Sequence, residues 1–142
     1  MRSDLLELDD VTGVIVDASV RIHRNLGPGL FESVYEALLA SALRQRGLCV
    51  EQQKMIGLSY EGLNFEQAFR ADLLVERSVI AEIKSIDRLA PVHTKQMTTY
   101  LRLLNLQVGL ILNFGAPIMK EGIRRVVNDL PRSASPGLRV NH

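Results

Sequence analysis

Asp72, Glu82 and Lys84 are the residues of this chain on which chemistry is most readily built. Asp72 interrupts the apolar run Phe69-Arg70-Ala71-Asp72-Leu73-Leu74-Val75, a setting that disfavours a carboxylate in a strand. Further on, Glu82-Ile83-Lys84 sets a carboxylate and an ammonium two residues apart, and such positions on a strand project from one face. A turn centred on Arg77 places Asp72 across from Glu82, because both lie five residues from the centre. Two carboxylates about 4 Å apart repel by roughly 4 kcal/mol at an effective dielectric constant of about 20. A cation therefore belongs between them. Magnesium, which accepts one or two carboxylates with a carbonyl and waters, is a natural candidate, and it leaves Lys84 free to act on a reacting group. The bland alternative is a surface cross-strand ion pair in which Lys84 neutralises its neighbours.

Two further polar residues stand where the local pattern assigns the core. Gln96 falls four residues after Val92 and four before Tyr100, so it is expected to point inward, either as an amide fastening its helix to a carbonyl or as part of a site. Glu32 aligns at helical spacing with Leu39 and Leu43 in the first turn after Gly27-Pro28-Gly29. Stabilisation by the helix N-terminus explains an anion there, while its inward direction keeps a role in the site open. His93 has no second histidine at ligand spacing and stands as a substrate contact or a structural residue.

These side chains need elements to position them. Val11, Val14, Ile15, Ala18 and Ile22 recur at helical spacing from Asp10 to Asn25, and Gly27-Pro28-Gly29 stops the segment. A second stripe, Phe31, Val34, Tyr35, Leu38, Leu39, Ala42 and Leu43, ends at Gly47. Three β-rich runs follow, Cys49 to Tyr60, Phe65 to Glu76 and Val79 to Ser85. The turns Glu61-Gly62-Leu63-Asn64 and Glu76-Arg77-Ser78 join them into a meander. Pro91 opens a helix to Asn105 whose Val92, Met97, Tyr100, Leu101 and Leu104 form an apolar face. The run Val108 to Phe114 reads as a central strand covered on both faces, lying against the meander, and Gly122 to Val127 as a short final strand.

The chain has 142 residues and 46% apolar content, enough for one sizeable core and too few residues for two. The expectation is one domain over 1–130 and a flexible, frayed tail over 131–142, where Ser, Pro and Gly accumulate. The opening MRSDLLELDD lacks the apolar run of a signal peptide, and no segment is long enough to span a bilayer, so the expected location is the cytoplasm, with no membrane partner. Cys49, the single cysteine, cannot form an internal disulfide, and between Leu48 and Val50 it reads as a buried strand residue. With 17 basic and 16 acidic side chains there is no global charge signature of a polyanion ligand. No strand-turn-helix Gly-x-Gly-x-x-Gly supports dinucleotide redox chemistry.

The chain resembles the PD-(D/E)XK nuclease superfamily, and within it a small group named for the motif Gly-x-x-Glu-x-x-Tyr, here Gly29-Leu30-Phe31-Glu32-Ser33-Val34-Tyr35. The similarity runs from the first helix to Val127 and includes His23 to Gly29, Arg70-Ala71-Asp72-Leu73, Asn113-Phe114-Gly115 and a Gln-x-x-x-Tyr element, Gln96 to Tyr100. The resemblance implies an α/β restriction-endonuclease-like core of order αβββαβ, with a mixed central sheet flanked by helices. It also implies magnesium- or manganese-dependent hydrolysis of DNA or RNA. The metal roles fall on Asp72, Glu82, the carbonyl of Ile83 and Glu32, with Lys84 activating or positioning the water and Gln96 and Tyr100 orienting substrate or lysine. Ala71 stands where the signature has proline. Tyr35, Arg70 and His93 are candidate substrate contacts, and Lys95, Lys120, Arg124 and Arg125 candidate contacts to flanking phosphates. The alternatives are a non-catalytic nucleic-acid-binding or assembly module that keeps the fold, and a homodimer whose work is at a protein interface.

Overall fold

The computed structural model describes residues 7–128 and 138–141. Its elements are α1 (Leu8–Leu26), α2 (Glu32–Gln45), β1 (Val50–Tyr60), β2 (Leu63–Val75), β3 (Val79–Lys84), α3 (Pro91–Leu104), β4 (Val108–Asn113), α4 (Met119–Gly122), β5 (Ile123–Val127) and β6 (Leu138–Asn141). The stretch from α2 to β4 is the expected αβββαβ order. The strands form one mixed sheet ordered β5-β4-β3-β2-β1-β6, in which β3 and β4 run parallel and the other neighbours antiparallel. The α/β fold with helices on a mixed sheet is thus the one the sequence predicts.

Each face of the sheet carries its own core. On one side α1 and α2 lay Val11, Ile15, Ala18, Tyr35, Leu39 and Leu43 against Leu73, Val75, Ala81, Ile83, Leu110 and Leu112. On the other, Met97, Leu101 and Leu104 of α3 meet Ile56, Ala71, Leu74, Ile80, Ile111 and Val126. Every residue of β4 is buried, as a strand covered on both faces must be. Gly109 of β4 explains how closely α3 settles: a Cβ there would stand 2.4 Å from the Met97 sulfur. The helix carrying Gln96 and Tyr100 is therefore seated directly on the sheet.

The hairpin of β2 and β3 has the register predicted from its turn, with Leu73 opposite Ala81, Leu74 opposite Ile80 and Val75 opposite Val79. Glu76 and Arg77 take positive φ, 53° and 52°, and the Ser78 N–H closes the turn on the Val75 carbonyl at 3.0 Å. The first hairpin turn is tighter than expected. Glu61 and Gly62, at φ 48° and 86°, make it alone, and Leu63 and Asn64 are already paired.

Several expectations are corrected. Leu138–Asn141 is no frayed tail but a strand, paired with Gly57–Tyr60 of β1, and Val140 packs against the α3-side core. A four-residue strand is defined by the edge it joins rather than by its own pattern. Residues 131–137 and 142 of the expected tail lie outside the described residues. Cys49 is exposed and precedes β1, because the strand starts only where Val50 pairs with Val75. On α2 the broad apolar stripe is split: Tyr35, Leu39, Ala40 and Leu43 are buried, while Phe31, Val34 and Leu38 remain exposed, Phe31 by 82%. Among the described residues no helix is long and apolar enough to cross a membrane.

Candidate active site

The strands β1 and β2 pair with one register on either side of Gln53 and Asp72, but these two residues themselves drop out: Gln52 faces Leu73 and Lys54 faces Ala71. Across the gap the strands turn over. Leu73 and Val75 pack on the α1/α2 side, whereas Phe69 and Ala71, also odd-numbered, pack on the α3 side. Val50 and Ile56 exchange faces in the same way on β1. Asp72 thus sits where the alternation breaks, a device that re-aims a side chain.

Beyond Leu73 and Ala81 the backbone pairing of β2 and β3 gives way to side-chain bonds. The Ile83 N–H donates to Asp72 Oδ2 at 2.9 Å, and the Asp72 N–H donates to Glu82 Oε1 at 3.3 Å. The two carboxylates are therefore neighbours, each fastened to the other's strand. Glu82 is only 8% exposed. Burial, and then the adjacent Asp72, push its carboxyl from 4.5 up to about 9, against the opposing pull of Lys84. Tyr100 is also raised, by burial first and then by the Glu82 and Asp72 charges. Among the described residues no ion pair within 4.0 Å engages either acid.

The end of β3 that carries Lys84 is locked from two sides. The Phe114 N–H donates to the Lys84 carbonyl at 2.8 Å, and buried Asn113 accepts from the Ile86 and Gly115 N–H groups at 3.0 Å while donating to the Ile86 carbonyl at 2.9 Å. Gly115 is required there, since a Cβ would lie 2.1 Å from the Ile86 oxygen. Ser85 Oγ donates to the Leu30 carbonyl at 2.8 Å, tying the same segment to the loop before α2.

An open cleft of about 430 Å³ gathers Glu32, Arg70, Asp72, Glu82, Lys84, Gln96 and Tyr100, and Met55, Gln67 and Phe69 complete its wall. Phe69 and Tyr100 stack at 4.3 Å between ring centroids. Gln96 is exposed on this cleft rather than buried as a core amide, because Met97 is the residue that meets the sheet. Glu32 is likewise exposed and faces the cleft.

Two expected substrate contacts fall elsewhere. Tyr35 is fully buried, stacked on Phe114 at 4.3 Å, and its hydroxyl donates to the Gly27 carbonyl at 2.6 Å and accepts from the Leu30 N–H at 3.1 Å. It staples the Gly-Pro-Gly loop and does not line the cleft. Tyr35→Phe should lower stability by about 1–2 kcal/mol in urea titration. An unchanged midpoint would mean that the glycines hold the loop alone. His93 Nδ1 accepts from the Ala90 N–H at 2.9 Å, capping α3 outside the cleft. The Ile83 side chain is buried in the core. Its N–H faces β2, and because both backbone groups of a strand residue leave the same edge, its carbonyl leaves the β2 edge as well. Lys95, Lys120, Arg124 and Arg125 do not line the cleft, and Arg125 is committed to Asp9 and Thr12 at 3.0 and 3.1 Å.

Sequence reasoning missed Gln53 and Glu36. Gln53 Nε2 donates to Asp72 Oδ1 at 3.3 Å and to Glu36 Oε1. Only Glu36 had a signal, lying one turn after Glu32 on α2. No set of three His, Cys, Asp or Glu side chains among the described residues is grouped to hold a metal ion. A pair of carboxylates with an adjacent carbonyl nevertheless fits magnesium, which retains several waters. A buried acid driven up to about 9 beside a second acid marks a place where a divalent cation would relieve repulsion.

A family model described as the PD-(D/E)XK nuclease superfamily matches residues 9–126, a span holding every residue that lines the cleft. No curated protein and no solved structure gives a match.

Proposed function

The chain belongs to the PD-(D/E)XK nuclease superfamily, and from that premise we propose that it hydrolyses phosphodiester bonds of DNA or RNA with magnesium or manganese held by Asp72 and Glu82. The observation that carries this reading is the pairing of buried Glu82 with Asp72 on a cleft that also receives Lys84. A cation bound there would acidify a water and neutralise charge that develops on the phosphate. The Ile83 carbonyl is the proposed third ligand, and Glu32, which lines the same cleft, would hold a water of the cation.

Lys84 projects into the same cleft as a positive charge that no ion pair among the described residues consumes. Its role is to orient the attacking water and to stabilise the anionic phosphate as negative charge builds. Gln96, which lines the same cleft, would donate to a phosphate oxygen or to the water. Arg70 engages the next phosphate along the strand. Tyr100, kept protonated by its raised pKa, is a hydrogen-bond donor beside the two carboxylates. We further propose that the chain is of the Gly-x-x-Glu-x-x-Tyr group, works in the cytoplasm as a single nuclease domain, and gains surface for a nucleic acid by pairing two copies.

The test is cleavage of labelled single- and double-stranded DNA and RNA with magnesium or manganese, comparing wild type with Asp72→Ala. Cleavage abolished by chelator and lowered about 10³-fold in the variant is expected, since the substitution removes a ligand and the bond that fixes Ile83. If the folded protein cuts nothing and binds no manganese, the catalytic reading gives way to a non-catalytic binding module.

A further inference from the structure

Gln53 is the one residue of β1 with a left-handed backbone, φ 51°, and it stands across from Asp72 at the point where both strands turn over. A non-glycine residue in that region costs about 1–2 kcal/mol and persists only where its surroundings hold it. Glycine would take the same backbone more readily. What the glutamine adds is its amide, whose nitrogen reaches two carboxylates at once: Asp72 Oδ1 at 3.3 Å and Glu36 Oε1.

We propose that Gln53 is a positioning residue that, anchored by Glu36, orients the Asp72 carboxylate for a cation, an inference that rests on the reading of the site given above. Asp72 is held from two directions, by the Ile83 N–H on Oδ2 and by the Gln53 amide on Oδ1. Each carboxylate oxygen has two lone pairs, so one on each remains for the cation or its waters. The amide suits this task because it donates hydrogen without bringing charge; an ammonium in its place would repel the incoming ion. Lys54, the next residue, is turned away to Glu51 at 3.1 Å. Glu36 fixes the amide from α2 and also accepts from Gln52 Nε2 at 3.2 Å, so the helix that carries Glu32 to the cleft sets the orientation of Asp72 as well.

The substitution Gln53→Gly separates this role from plain scaffolding, since it relieves the backbone and removes the amide. The melting temperature should be equal to or above that of wild type. Manganese affinity in calorimetry should fall about 10-fold or more, as loss of an outer-shell partner does. The Ile83 amide hydrogen should exchange with solvent faster, because the carboxylate it bonds is loosened. Glu36→Ala leaves the β1 backbone alone and should weaken manganese binding in the same direction. The inference is overturned if both variants bind manganese as wild type does with Ile83 exchange unchanged. It is equally overturned if Gln53→Gly lowers the melting temperature together with affinity, the mark of a structural residue. Should wild type bind no manganese, the cation reading falls, and the Ile83 exchange decides alone: faster in Gln53→Gly upholds the positioning role, unchanged rejects it.

Discussion

Lys84→Ala should lower the kcat of phosphodiester hydrolysis by about 10²–10³-fold while leaving manganese affinity equal or increased. The two effects separate because the ammonium and the cation are like charges in one cleft. Removing Lys84 takes a repulsive neighbour from the metal, yet deprives the phosphate of a fixed positive charge as negative charge builds on it. The fold should be indifferent: what holds the end of β3 is the Lys84 carbonyl, which accepts from Phe114, together with Asn113 and Ser85, and none of these involves the ammonium. Asp72→Ala behaves differently, losing affinity and rate together. Single-turnover cleavage at saturating manganese, with calorimetry on the same samples, reads both quantities. A wild-type rate in Lys84→Ala would return Lys84 to the status of a surface charge.

The site was legible in the sequence to the extent that it rests on strand geometry. The period of two placed Glu82 and Lys84 on one face, and reflection about Arg77 gave the register that the pairs from Leu73–Ala81 to Val75–Val79 follow. Val108–Asn113 announced a central strand by having no polar face. What escaped depends on tertiary context. Periodicity on α2 cannot tell Tyr35 as a substrate contact from Tyr35 as a buried staple, because both need the same side of the helix. It is the Gly27 carbonyl and the Leu30 N–H, both in the preceding loop, that decide. Gln96 was expected inside because helical spacing aligned it with Val92 and Tyr100, yet those two are themselves exposed and half-buried; the sheet meets Met97, Leu101 and Leu104 instead. The break at Gln53 and Asp72 has no local signature, for glutamine is not a residue that advertises a left-handed backbone. It is visible only in the fold, where Asp72 and Glu82 exchange side-chain bonds with each other's strand. The strand Leu138–Asn141 depends wholly on the free edge of β1.

Glu82 yields the sharpest dependence on pH. Its carboxyl moves from 4.5 to about 9 in the fold, first through burial and then through Asp72. A group raised in this way binds its proton more tightly when folded, so its contribution to stability is fully present below pH 4.5. It is lost progressively as pH rises toward 9, where the folded form must at last ionise. Glu82→Gln, neutral throughout, escapes that loss. In chelator, urea titrations should therefore find the variant close to wild type at pH 4.5 and more stable by a few kcal/mol at pH 8. Manganese should reverse the order, since only the carboxylate can bind it and the ion's binding free energy then stabilises wild type alone. The same linkage predicts that manganese affinity rises about tenfold per pH unit up to the range of 9, with close to one proton released per ion at neutral pH. Calorimetry in buffers of different ionisation enthalpy counts that proton directly. If none is released, Glu82 is already ionised in the metal-free protein, and Lys84 rather than a proton neutralises the pair.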